Sequence, residues 1–150
     1  MELKEYQQGV LSKLDRYLSV LQEQREQAEE FVEFQQSKGK TATLGDYCRE
    51  TWDQLNAERL LPYLYHGDQP VVAPHLSRHD GQGLSIPNIC FKVPTGGGKT
   101  LLATAALERV QTDYFKRQLG LVLWVVPSEA IYRQTWKQLA NREHPYRQML

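Results

Sequence analysis

Gly96, Gly97 and Gly98, followed directly by Lys99 and Thr100, are the residues of this sequence best suited to chemistry. Consecutive glycines let a backbone curl around an anion without Cβ clashes, so that its N–H groups become donors. Lys99 adds a point charge that can reach β- and γ-phosphates, a binding and catalytic role, and the Thr100 hydroxyl suits a Mg²⁺ ion. A helix opening at this point contributes roughly half a unit of positive charge to the same spot. The chemistry indicated is polyphosphate binding. Val93 stands where the strict G-x-x-x-x-G-K-[ST] pattern has its first glycine, so the case rests on the flanking elements.

Those elements are a strand before the loop and a helix after it. Ile89-Cys90-Phe91-Lys92-Val93 predicts a mostly buried strand, and Leu101 to Arg117 a helix that Gly120 breaks. Leu121 to Val126 is continuously apolar, as a parallel strand covered on both faces should be, and Pro127 stops it. Glu129 to Asn141, with Ile131, Trp136 and Leu139, predicts the next helix. Strand, helix, strand, helix is one right-handed crossover, giving an α/β class with parallel strands. A complete open sheet has about 4–6 strands, and the chain reads as the front of something longer.

Upstream, Leu3, Tyr6, Val10, Leu14, Tyr17, Leu18 and Leu21 follow helical spacing, and good helix formers continue it to Gln36. Ser37-Lys38-Gly39 predicts its stop; a break near 22–27 into two helices is the alternative. Thr43 with Asp46 resembles a capping box ahead of a second helix through Tyr47, Thr51, Trp52, Leu55 and Leu60, with Trp52 as a packing anchor. Residues 61–87, interrupted by Pro62, Pro70, Pro74 and Pro87, predict an irregular connector. His75 and His79 there read as solvated loop histidines rather than metal ligands, for want of a helix and a third ligand. The organisation expected is a helical region over 1–60, a connector over 61–87, and the start of an ATP-binding domain over 88–150.

Composition narrows the setting. Lys and Arg number 18, Asp and Glu 18, which excludes a uniformly basic nucleic-acid binder. The balance divides as net −4 over residues 1–60, with 8 basic and 12 acidic side chains, and net +4 over 61–150, with 10 and 6. Cys48 and Cys90 have no paired metal-ligand spacing and are expected to stay reduced. No apolar run approaches the ~20 residues of a membrane span, and MELKEYQQ lacks a signal-peptide core, so a cytoplasmic protein is expected.

Pro94-Thr95-Gly96-Gly97-Gly98-Lys99-Thr100 resembles the phosphate loop of superfamily-two helicases and translocases, and VPTGGGKTLLA most resembles the Res subunit of type III restriction-modification enzymes. Two further stretches are similar to that family. Val126-Pro127-Ser128 with Ile131 and Gln134 resembles its next motif, and the resemblance implies that Pro127 and Ser128 touch a nucleic-acid backbone. Ser128 also suits the N-cap of the following helix. Leu3-Lys4-Glu5-Tyr6-Gln7-Gln8 resembles the family's upstream glutamine motif, which implies adenine recognition by Gln7; without the resemblance, Tyr6 and Gln7 are ordinary residues of an amphipathic helix.

The resemblance thus implies an incomplete P-loop NTPase domain of RecA-like helicase type, with ATP and Mg²⁺ as ligands. DNA and a methyltransferase subunit are its implied partners. Thr95 through Thr100 would bind nucleotide, Thr100 would hold Mg²⁺, and the intact protein would hydrolyse ATP while moving on DNA. The acidic motif, second lobe and nuclease domain of that family are not found in the 150 residues, which implies little turnover by this chain alone. A small P-loop kinase and a non-catalytic interaction module remain open as alternatives.

Overall fold

The computed structural model describes residues 3–117 and 119–150. Its elements in order are α1 (Glu5–Ser37), α2 (Tyr47–Ala57), β1 (Tyr63–His66), β2 (Gln69–Val72), α3 (Lys99–Arg109), a π-helical turn (Val110–Tyr114), α4 (Glu129–Ala140) and α5 (Pro145–Gln148). Contacts divide the chain into two units, Met1–Asp15 with Phe91–Leu150, and Arg16–Cys90. The second unit is therefore inserted, in sequence, between the two pieces of the first.

α1 is one helix without a break at 22–27, and it stops where glycine permits. Gly39 takes φ +71°, its N–H donates to the Gln36 carbonyl at 2.9 Å, and the Lys40 N–H donates to the Gln35 carbonyl at 3.0 Å. This paired arrangement satisfies carbonyls that a helix end otherwise leaves open. α1 carries too many polar side chains to span a bilayer, and no helix among the described residues is long and apolar enough to cross a membrane.

In the unit Arg16–Cys90, Tyr17, Leu18, Val20 and Leu21 of α1 are buried, as are Tyr47, Cys48, Thr51 and Leu55 of α2. Polar links join the two helices: Arg16 Nε donates to Glu58, the C-cap of α2, at 2.9 Å, and Gln24 to Gln54 at 2.8 Å. Burial pushes the Cys48 thiol up to about 11, so it behaves as a small apolar group, whereas Cys90 is exposed. α2 begins at Tyr47 with Asp46 as its own N-cap, accepting from the Arg49 N–H at 3.1 Å. The box expected from Thr43 does not form, because Gly45 at φ +67° turns the backbone between the two residues.

The connector expected to be irregular contains a hairpin. β1 and β2 pair antiparallel, with Tyr63 opposite Val72 and His66 opposite Gln69. Two loop residues join them, and Gly67 takes the positive φ, +64°, that such short loops require. Pro70 is tolerated because both strands of a two-stranded sheet are edges. Side chains then fasten residues 73–88. Trp52 donates its indole N–H to the Ala73 carbonyl at 2.9 Å, the Tyr47 hydroxyl donates to the Ser85 carbonyl at 2.8 Å, and Asn88 donates to the Leu76 carbonyl at 2.9 Å. His75 and His79 lie on non-helical backbone, so their spacing does not set them on one helix face.

The parallel strands expected at 89–93 and 121–126 are absent among the described residues, whose one sheet is the β1–β2 hairpin. The apolar pattern is that of strands covered on both faces, and those covers are not present: Leu121, Leu123 and Val125 are 101%, 87% and 80% exposed. Two strands alone would bury too little to hold a parallel ladder. The helices that flank these runs do form. α3 begins at Lys99, two residues before the expected start, and passes into the π turn, where the Phe115 N–H donates to the Val110 carbonyl at 2.9 Å. α4 covers Glu129–Ala140 as expected.

Partial burial alone would raise the Asp46 carboxyl, but hydrogen bonds from Ser77, the Arg49 amide and Ser85 hold it below its ordinary value. Its contribution to stability is therefore full above the unfolded pKa near 4 and disappears as pH falls through the lower folded value. We expect Asp46→Ala to destabilise this unit by about 1–2 kcal/mol at pH 7, with the gap closing as pH falls below the unfolded carboxylate value, in urea denaturation followed by circular dichroism. A gap independent of pH would contradict this role for the carboxylate.

Candidate functional site

The glycine loop is a tight turn set directly on the first residue of a helix. The Gly97 N–H donates to the Pro94 carbonyl at 3.0 Å, closing a four-residue turn whose third residue, Gly96, has φ +78°. A positive φ at that position is what a type II turn demands, and a side chain there costs roughly 1–2 kcal/mol. Gly98 follows at φ +71° as the N-cap of α3 and offers no capping side chain. The first N–H groups of α3 thus have no side-chain cap from Gly98, leaving the helix end suited to an anion.

Close approach also requires glycine at position 97 and brings a side chain against position 98. A Cβ on Gly97 would lie 2.7 Å from Val93 Cγ1 and 2.9 Å from the Pro94 carbonyl oxygen. A Cβ on Gly98 would lie 2.6 Å from the Gln7 amide nitrogen. The second contact leads to the least expected part of the site. Tyr6 Oη donates to the Gly97 carbonyl at 2.8 Å, and Gln7 Nε2 donates to the same oxygen at 3.2 Å. The head of α1, some 90 positions upstream, is held on the loop within one compact unit.

Gln7 is 4% exposed, and its amide is engaged at both ends, because Oε1 accepts from the Lys4 N–H at 2.9 Å. The amide that the family resemblance assigns to adenine is here closed on Gly97 and Lys4. The Asp15 carboxylate adds a second link, meeting Arg109 at the end of α3 at 2.7 Å. Leu11 and Leu14 of α1, and Leu101, Leu102, Thr104 and Ala105 of α3, are buried in the same unit. Sequence reasoning treated Tyr6 as an ordinary helix residue; the signal for its role is a hydroxyl beside Gln7, which spacing alone does not separate from packing.

Lys99 is exposed and its Nζ donates to the Pro94 carbonyl at 2.9 Å. The cation is thus turned back onto the loop that precedes it. Thr100 occupies the first turn of α3, with its carbonyl accepting from the Thr104 hydroxyl at 2.8 Å. Thr95 lies in the turn and is exposed. Ser128 is the N-cap of α4, its hydroxyl accepting from the Ile131 N–H at 3.4 Å, and Pro127 beside it is exposed. Both residues belong to the same unit as the loop. The structure brings Gln7 and the glycines together, and leaves Pro127 and Ser128 at the start of a different helix.

Residues 77–149 match the family model of the type III restriction enzyme, res subunit. The stretch contains the glycine loop, Pro127 and Ser128, and begins well after Tyr6 and Gln7. Searches of curated proteins and of solved structures give no match.

The clash geometry at the loop is testable without any ligand. Gly97→Ala should lower stability by about 1–3 kcal/mol, because the Pro94 carbonyl is backbone and cannot step aside as a side chain can. Thermal unfolding followed by circular dichroism measures this, and a melting temperature equal to that of the wild type would show that the loop is looser than described.

Proposed function

We propose that this chain, similar over residues 77–149 to the type III restriction enzyme res subunit, is the ATP-binding N-terminal portion of an ATP-dependent DNA helicase or translocase. The observation that carries the reading is the glycine loop itself, with Gly96 and Gly98 in the left-handed region and Lys99 as the first residue of α3. The family match over residues 77–149, which includes this loop, supports the same reading.

In this reading the N–H groups of Gly96, Gly98, Lys99 and Thr100 bind phosphate oxygens while that of Gly97 closes the turn, and Lys99 leaves the Pro94 carbonyl to neutralise their charge. Thr100 and a phosphate oxygen would hold Mg²⁺, which supplies charge neutralisation for phosphoryl transfer. Gln7 releases one of its two amide bonds when it meets adenine, since an adenine edge needs both a donor and an acceptor. Pro127 and Ser128 present the start of α4 to a DNA backbone, where the helix dipole favours phosphate. The domain carrying this chemistry begins near residue 88, and DNA and a methyltransferase subunit are partners of the intact protein. Turnover waits on an acidic group to position water, so the chain by itself binds nucleotide and hydrolyses little.

Equilibrium binding of Mg·ATP to the chain and to Lys99→Ala, followed by calorimetry, tests the reading. A charge-assisted hydrogen bond is worth about 1.5–3 kcal/mol, so the variant should bind at least tenfold more weakly with its helix content unchanged. Equal affinity of the two proteins, or no binding by the wild type, would rule the reading out.

A further inference from the structure

The hydrogen bonds on the Gly97 carbonyl do more than tether a helix. A carbonyl oxygen has two lone pairs, and here Tyr6 Oη at 2.8 Å and Gln7 Nε2 at 3.2 Å are both donated to it. The peptide joining Gly97 to Gly98 is trans, so its C=O and N–H point in opposite directions. Holding the oxygen toward the head of α1 therefore turns the Gly98 N–H away from it. Glycines on both sides give this peptide plane more rotational freedom than other residues would, and the loop's own bonds, from the Gly97 N–H to Pro94 and from the Leu102 N–H to Gly98, engage neither its oxygen nor its N–H.

We propose that Tyr6 is a positioning residue of the phosphate loop, its phenol fixing the Gly97–Gly98 peptide so that the Gly98 N–H is presented to a bound triphosphate. The proposal rests on the nucleotide-binding reading above and adds to it a residue outside the family-matched stretch. Two features separate positioning from mere packing. Tyr6 is 43% exposed, so its ring is not a core element, and its hydroxyl reaches a backbone atom of the loop. Gln7, by contrast, is buried beside Gly98, and its substitution would disturb packing as well as hydrogen bonding.

Tyr6→Phe removes one hydroxyl and keeps the ring. The full chain and this variant are titrated with Mg·ATP and with magnesium tripolyphosphate, which has phosphates but no base. A neutral hydrogen bond is worth about 1 kcal/mol, so affinity for both ligands should fall by a common factor of up to roughly five, with the folded circular-dichroism spectrum retained at the titration temperature. In the ligand-free protein, the Gly98 amide should exchange faster with solvent in the variant. Tripolyphosphate bound equally by wild type and variant would overturn the proposal while leaving the nucleotide reading intact. A loss confined to ATP would also overturn it, because Tyr6 would then act on the base. Failure of the wild type to bind either ligand would remove both the reading and the role built on it.

Discussion

One backbone carbonyl, that of Gly97, connects the two ends of the candidate site. A loop of three glycines has little stiffness, and a polyphosphate site depends on N–H groups that already point the right way before the anion arrives. In this chain the turn bond from Gly97 to Pro94 is joined by restraint from outside the loop, through Tyr6 and Gln7 on the first turn of α1. The closure spans some 90 residues, yet its entropic cost grows only as the logarithm of that length. Buried Leu11, Leu14, Leu101 and Leu102, with the Asp15–Arg109 ion pair, lie in the same unit and act in the same direction.

The glycine loop and the helices that follow it were readable from the sequence because their determinants are local. Gly96 to Thr100 carry their own conformational demands, Ser128 caps α4 with its own side chain, and Gly39 ends α1 by its own φ. The role of Gly97 as an acceptor for Tyr6 was not readable, since spacing within α1 says only which face a residue occupies. The Gly67 hairpin was obscured by Pro62 and Pro70, which signal interruption in a central strand but are harmless at an edge. The parallel strands failed for the opposite reason. Ile89–Val93 and Leu121–Val126 have the composition of covered strands, but composition does not supply the cover, and Leu121, Leu123 and Val125 stand open to solvent.

That exposure bears on how the site functions. A cleft of about 410 Å³ beside the second run is lined by Trp124, Tyr132, Trp136 and Leu139, with Arg142 and Arg147 at its margin. So much aromatic surface on one helix and the segment before it suits burial against further structure, as edges and apolar patches generally do. The glycine loop does not depend on it, because the groups that shape the loop are Val93, Pro94, Tyr6 and Gln7. The shape of the glycine loop and the exposure of that apolar surface are therefore separate features of this chain, the first resting on residues already in contact with the loop.

The most direct test of that account is a map of backbone and side-chain amide resonances during titration with magnesium tripolyphosphate. The account predicts that the largest shifts fall on the amides of Gly96 to Thr100, accompanied by the Gln7 side-chain amide that touches the loop. Shifts centred on any other segment, or no change at Gly96 to Thr100 under saturating ligand, would contradict it.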